Sequence, residues 1–120
     1  CVHTNELKHA CAQIQKNVCI TNSNTVIQTG TVTLTEATEF RVIAEATTDD
    51  TEEDYLTQGE LVIGTKNISA EAEMGYEDDD TVEVIGPWVT IQPGTYSYQW
   101  KVETQGITGN GCAGFDHRSY

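Results

Sequence analysis

The sequence of 120 residues is poor in positive charge, with 6 Lys and Arg residues against 19 Asp and Glu residues. Its net charge is −13. Because phosphate backbones are bound by clustered Lys and Arg side chains, this shortage excludes nucleic acid as an expected partner. The charge instead favours divalent cations or a basic protein as partners, or simply high solubility in an acidic secreted protein.

The chain also lacks any apolar run long enough to cross a bilayer as a helix, so no transmembrane segment is expected. It begins with Cys1 rather than Met and carries no signal peptide, as a secreted protein does after processing. A processed N-terminal Cys is also what a lipidated bacterial lipoprotein presents. We therefore expect a secreted protein, either extracellular or at the cell surface.

Motifs of the common enzyme classes are missing as well. The sequence has no Gly-x-Ser-x-Gly, no His-Glu-x-x-His and no phosphate-binding loop. His3, His9 and His117 lie near the two ends, without the spacing of a helical metal-binding pair. A cysteine nucleophile would need a thiolate activated by His, and disulfide formation competes with that use. These absences predict a protein that is not an enzyme.

Cysteine is absent between residues 19 and 112, and the four cysteines are Cys1, Cys11, Cys19 and Cys112. An even count without Cys-x-x-Cys spacing favours structural disulfides in an oxidising compartment over a zinc site. A bridge between Cys19 and Cys112 would close about 90 residues and contribute ~4–5 kcal/mol by the chain-entropy model. Because the cysteines lie on the terminal segments, disulfides between subunits are an equal alternative to an internally bridged monomer.

The N-terminal segment differs from the rest in its apolar period. Spacings of four, three and four residues separate Leu7, Cys11, Ile14 and Val18. This period predicts a short amphipathic helix over residues 5–17, with an extended arm as the alternative, in which residues 18–20 begin a strand. We therefore divide the chain into an N-terminal Cys-containing arm, residues 1–24, and a β-domain, residues 25–120.

From residue 25 onward apolar and polar residues alternate, which is typical of half-buried strands. The pattern predicts about seven strands, near residues 32–34, 40–46, 60–63, 68–76, 81–85, 88–91 and 96–102. One apolar and one polar face for each strand predicts a mainly β fold, an antiparallel β-sandwich of immunoglobulin-like or jelly-roll-like type. The glycine-rich tail over residues 105–114 is expected to be a loop or turn.

Two acidic runs are candidate calcium sites, because crowded carboxylates repel one another and a hard cation relieves that repulsion. The candidate ligands are Asp49, Asp50, Glu52, Asp54, Asp78 and Asp80. Neither run has the glycine and terminal glutamate of an EF-hand loop. The alternative interpretation is a pair of solvated hairpin loops that keep the protein soluble.

Four aromatic residues form a candidate platform for stacking on a glycan: Trp88, Tyr96, Tyr98 and Trp100. Three of them alternate with polar residues in one strand, which favours a core face over an exposed platform. The tripeptide that begins at Asn67 is an acceptor pattern for N-glycosylation.

Terminal cysteines, a Thr-rich β-domain and strong acidity together suggest an extracellular structural subunit. We predict that it self-assembles into a filament, sheath or surface layer, as a homo-oligomer or polymer. Sheet edges, the terminal arm and disulfides would join the copies, with calcium assisting at the acidic loops. The alternative is a monomeric secreted binding module that recognises a glycan or a basic protein.

Overall fold

A computed structural model of the chain describes residues 17–47, 55–75, 81–106 and 109–119. Over these ranges the chain forms nine strands and no helix. The strands are β1 (Val18–Thr21), β2 (Thr25–Leu34), β3 (Thr38–Thr47), β4 (Tyr55–Ile63), β5 (Lys66–Met74), β6 (Thr81–Ile85), β7 (Val89–Ile91), β8 (Gly94–Gln105) and β9 (Asn110–Ser119). Apart from Asn17, the predicted helix lies outside the described residues.

The strands form two antiparallel sheets. The first sheet has the order β1-β9-β3-β6, and β7 also pairs with β3. The second sheet has the order β2-β8-β4-β5. The predicted antiparallel β-sandwich is therefore confirmed. No helix in the described ranges could span a membrane.

The core lies between the sheets because every second residue of the strands points inward. In β4, burial alternates along the whole strand from Tyr55 to Ile63. The indole of Trp100 is only 1% exposed and meets the ring of Phe115 edge-on, with 5.2 Å between ring centroids. Aromatic contacts of this geometry, made between β8 and β9, tie the two sheets together at the centre of the core.

One glycine in each sheet allows the sheets to approach closely. A Cβ atom on Gly59 of the second sheet would lie 2.8 Å from Cβ of Ala113 and 2.9 Å from Cγ1 of Val42. A Cβ atom on Gly111 of the first sheet would lie 2.6 Å from Cγ2 of Thr104. Glycine at these positions therefore serves the packing between sheets and not a turn.

The expectation of a loop over residues 105–114 is wrong for most of that segment. Residues 110–114 begin β9, which lies between β1 and β3 in the first sheet. Among the described residues of this segment, Gly106 and Gly109 have positive φ angles, of 110° and 133°. Val18 begins β1, so the alternative prediction of a strand there is correct. These two strands account for the difference between about seven predicted strands and the nine observed.

Candidate functional site

The outer face of the first sheet carries two reciprocal ion pairs across β3 and β9. Arg41 lies directly opposite Asp116, and Glu39 lies directly opposite Arg118. Nη2 of Arg41 is 3.1 Å from Oδ2 of Asp116, and Nε of Arg118 is 2.9 Å from Oε1 of Glu39. Glu39 is only 8% exposed. The carboxylates therefore hold both guanidinium groups in place above the sheet.

The indole of Trp88 is the aromatic partner of these two arginines. Trp88 directly precedes β7, which pairs with β3 on the side opposite β9. The guanidinium carbons of Arg41 and Arg118 lie 4.5 Å and 4.0 Å from the centroid of its ring. Each cation–π contact at a surface contributes about 0.5–1 kcal/mol. We call these five residues the Trp88 patch: Glu39, Arg41, Trp88, Asp116 and Arg118.

The Trp88 patch combines an apolar ring with fixed hydrogen-bonding groups. Each guanidinium has five N–H donors, more than its carboxylate partner engages. The carboxylates supply acceptor oxygens within the same few ångströms. Two arginines and two acids balance in charge, although the whole chain is strongly acidic. An apolar surface edged with fixed donors and acceptors suits a ligand that has both C–H and hydroxyl groups.

A shallow depression of 280 Å³ adjoins the Trp88 patch on the same face. Asp116 belongs to both. Gly114 lies directly opposite Ile43, so the missing side chain leaves a notch beside the isoleucine. Ile85, opposite Ile43 on its other side, is 53% exposed. Glu45 and Glu83 face each other at the far end of the depression.

The same face carries a disulfide bond between Cys19 and Cys112. These cysteines lie directly opposite each other on β1 and β9, with 4.1 Å between their Cα atoms. The bond fastens the edge strand β1 to the sheet within one chain. Cys1 and Cys11, the other two predicted disulfide cysteines, lie outside the described residues.

The four aromatic residues predicted to stack on a glycan do not share one surface. Tyr98 and Trp100 are 6% and 1% exposed and face the core, so neither can stack on a sugar. A core face is what the alternation of apolar and polar residues in this strand favoured. Burial raises the pKa of the Tyr98 hydroxyl, and a hydrogen bond with Gln28 partly offsets that rise. The hydroxyl of Tyr96 donates a 2.8 Å hydrogen bond to the carbonyl of Gln92. Trp88 is the one of the four on the outer face of a sheet.

The six predicted calcium ligands, Asp49, Asp50, Glu52, Asp54, Asp78 and Asp80, lie outside the described residues. The strands that flank the two acidic runs end on the same side of the molecule, since Thr47 pairs with Thr81 and Tyr55 pairs with Met74. Within the ranges that the structure describes, no three His, Cys, Asp or Glu residues could hold a metal ion. The calcium site stays a prediction.

The remaining candidates lie apart from the Trp88 patch. Asn67 is exposed at the start of β5, where its Nδ2 donates a 3.2 Å hydrogen bond to Glu60. Its glycosylation stays a prediction. His117 points toward the core with its ring 6.2 Å from that of Phe40. His3 and His9 lie outside the described residues.

Sequence reasoning missed the two arginines of the site, although a signal was present. The tripeptides Glu39-Phe40-Arg41 and Asp116-His117-Arg118 each place an acid and an arginine on one face of a strand. When two such strands pair antiparallel, each acid meets the other strand's arginine. That signal becomes useful only once residues 110–119 are recognised as a strand.

No protein-family model and no curated protein matches the chain. Among solved structures, a ruminal GH26 endo-beta-1,4-mannanase is similar at 12% identity and a TM-score of 0.37. That match covers 83% of this chain but only 19% of the mannanase. The CBM36-1 domain of a multidomain xylanase, from the hindgut metagenome of Trinervitermes trinervoides, is similar at 13% identity and a TM-score of 0.31. It covers 88% of each chain. Likenesses this distant assign no function.

Proposed function

We propose that this chain is a non-catalytic binding module that holds a saccharide at the Trp88 patch. One observation carries the proposal: a half-buried indole on an outer sheet face, contacted by two guanidinium groups that carboxylates fix in place. Because these side chains are already ordered, binding would cost little further conformational entropy.

A neutral saccharide suits the chemistry of this surface. The C–H face of a sugar ring can lie against an aromatic ring, while its hydroxyls accept from arginine and donate to carboxylate. Charge balance within the Trp88 patch removes the need for an ionic ligand. The adjoining depression beside Ile43 gives room for a further sugar unit.

A basic protein is the competing ligand, because the chain carries a net charge of −13. Its binding at the Trp88 patch would bring cations toward Arg41 and Arg118, which like-charge repulsion opposes. The saccharide is therefore the better fit at this surface.

The direct test is affinity electrophoresis through gels that contain soluble neutral polysaccharides, one polysaccharide in each gel. We expect at least one polysaccharide to retard the native chain. Trp88→Ala should weaken binding about tenfold or more, as loss of a central aromatic contact does. Ile27→Ala is the matched control, because Ile27 is 56% exposed on the other sheet. Retardation that survives Trp88→Ala, or is absent throughout, would contradict the proposal.

Self-assembly into a filament, sheath or surface layer remains a second hypothesis with less support. The bond between Cys19 and Cys112 satisfies both cysteines within one chain and leaves neither for a neighbour. An internal disulfide is consistent with an extracellular protein. Gel electrophoresis with and without reductant tests the hypothesis, since linked subunits give a ladder that collapses on reduction.

A further inference from the structure

In the part of the chain that the structure describes, β2 lies at one edge of the second sheet. It pairs with β8 along its full length, from Thr25 opposite Glu103 to Leu34 opposite Gly94. On its other side no described residue pairs with it. Its ten residues, TVIQTGTVTL, include no charged residue and no proline. Natural edge strands of this length are usually protected by a charge, a proline or a bulge, so β2 is exceptional.

The opposite edge of the same sheet is protected. The chain between β6 and β7 approaches β5 so closely that a Cβ atom on Gly86 would lie 2.9 Å from the carbonyl oxygen of Ser69. The exposed side chains of β5 include Lys66, Glu71 and Glu73. Charge and cover thus protect β5 against pairing with another chain, whereas β2 carries no charge and none of the described strands pairs with its other edge.

The first half of β2 is also less well covered than the second half. In the first sheet, the edge strand β1 contacts β8. Val32, in the second half of β2, is fully buried, whereas Val26 is only half-buried and Gly30 is exposed. The inner side of the first half of β2 is therefore incompletely covered.

We propose that two copies of this chain pair through β2, antiparallel, about a two-fold axis at Thr29. Paired residues then share a face, so the inward Val26 lies opposite Val32 of the partner subunit, and each half-covered valine gains an apolar neighbour. The two four-stranded sheets become one continuous sheet. The pairing is independent of the Trp88 patch, which lies on the other sheet.

The side chains of β2 suit a second copy in particular. On the outer face, Thr29 lies opposite Thr29 of the partner subunit at the two-fold axis. This protein already joins strands by threonine pairs: the hydroxyls of Thr33 and Thr95 are 3.1 Å apart, and those of Thr47 and Thr81 are 2.9 Å apart. Two chains of net charge −13 repel, so a stable contact between them needs an uncharged strand, which β2 supplies.

Sedimentation equilibrium over a wide concentration range tests the proposal. We expect a monomer–dimer equilibrium whose dissociation constant falls as NaCl is added, because salt screens the repulsion between acidic copies. Thr29→Lys, which places two ammonium groups at the axis, should raise the dissociation constant about tenfold or more. Ser69→Lys on the protected edge is the matched control and should leave the constant unchanged. Equal melting temperatures would show that both variants fold.

Oxidative cross-linking gives a second measurement that does not depend on weakening the dimer. Thr29→Cys should form a disulfide with its counterpart, and Ser69→Cys should not. A chain that stays monomeric at every concentration would overturn the proposal, as would a dimer that Thr29→Lys leaves intact. If β2 pairs with a segment of another protein and not with a second copy, this chain alone will stay monomeric at every concentration. Saccharide binding by Thr29→Lys should equal that of the native chain, so failure here is distinguishable from failure of the proposed function.

Discussion

The outer faces of the two sheets obey the same alternation but differ in how their side chains meet. On the first sheet, Arg41 and Arg118 pair with acids on the neighbouring strand and contact Trp88. On the second sheet an ion pair joins Lys101 and Glu103, two residues apart on one strand, at 3.0 Å. Alternation decides which residues face outward, whereas register decides which of them meet. The candidate site lies on the face where register brings an aromatic ring and charged partners together.

The largest expected effect comes from removing the disulfide that distinguishes the first sheet. The double variant Cys19→Ser/Cys112→Ser frees a loop with a sequence separation of 93 residues. By the chain-entropy model it should lose about 4–5 kcal/mol of unfolding free energy, because the unfolded chain gains freedom. Urea denaturation measures the loss, with reduced native protein as the control. A loss below about 1 kcal/mol would show that strand pairing alone holds β1.

A smaller effect is expected where the two sheets touch. Gly59→Ala inserts a methyl group against Ala113 and Val42, and overpacking of this kind costs about 1–3 kcal/mol. Chemical denaturation measures the change, with Ser69→Ala on the exposed surface of β5 as the control. An unchanged unfolding free energy would mean that the sheets separate easily, and that the two faces are less rigidly joined than the structure indicates.

The smallest effect concerns the ion pair of the second sheet. The amide of Gln105 and the ammonium of Lys101 hold the pKa of Glu103 below its usual value, and Glu103 raises the pKa of Lys101. A lowered carboxyl pKa stabilises the fold above the unfolded value, and that contribution is lost as pH falls through the folded value. A raised lysine pKa stabilises below its unfolded value, and that contribution is lost as pH rises through the folded value. The Lys101–Glu103 pair therefore stabilises the fold at pH values above the folded pKa of Glu103 and below the folded pKa of Lys101.

Glu103→Gln should accordingly lower the melting temperature slightly near pH ~7, and this difference should shrink as the pH falls through the folded pKa of Glu103. Thermal denaturation over a series of pH values measures the difference. Asp116→Asn, its counterpart on the first sheet, should in addition weaken saccharide binding, because it releases Arg41. Equal binding losses in the two variants would erase the contrast between the faces.

Much of the fold follows from local sequence, because burial on one face imposes a period of two on each strand. The run from Phe40 to Ala46 is found as a strand for this reason. β9 escapes the same reasoning, since Gly111 and Gly114 interrupt its apolar pattern and resemble turn residues. Their purpose is visible only from the opposing sheet, whose side chains crowd Gly111.

The candidate site is less predictable than the fold because it depends on register. Trp88 stood among the aromatic candidates, but its neighbours in sequence do not include either arginine. Arg41 and Arg118 meet at the indole because β3 pairs with both β7 and β9. These strands are far apart in the chain. Such long-range pairing is a property of the folded sheet and leaves only a faint trace in the sequence.

Tryptophan fluorescence during titration with a retarding polysaccharide tests the central claim most directly. The chain has two tryptophans: Trp88 contacts the arginines on the outer face, and Trp100 is buried in the core. We predict that the ligand changes the emission of the native chain, and that Trp88→Phe abolishes this change while Trp100 emission persists. The same ligand-dependent change in Trp88→Phe would contradict binding at the Trp88 patch.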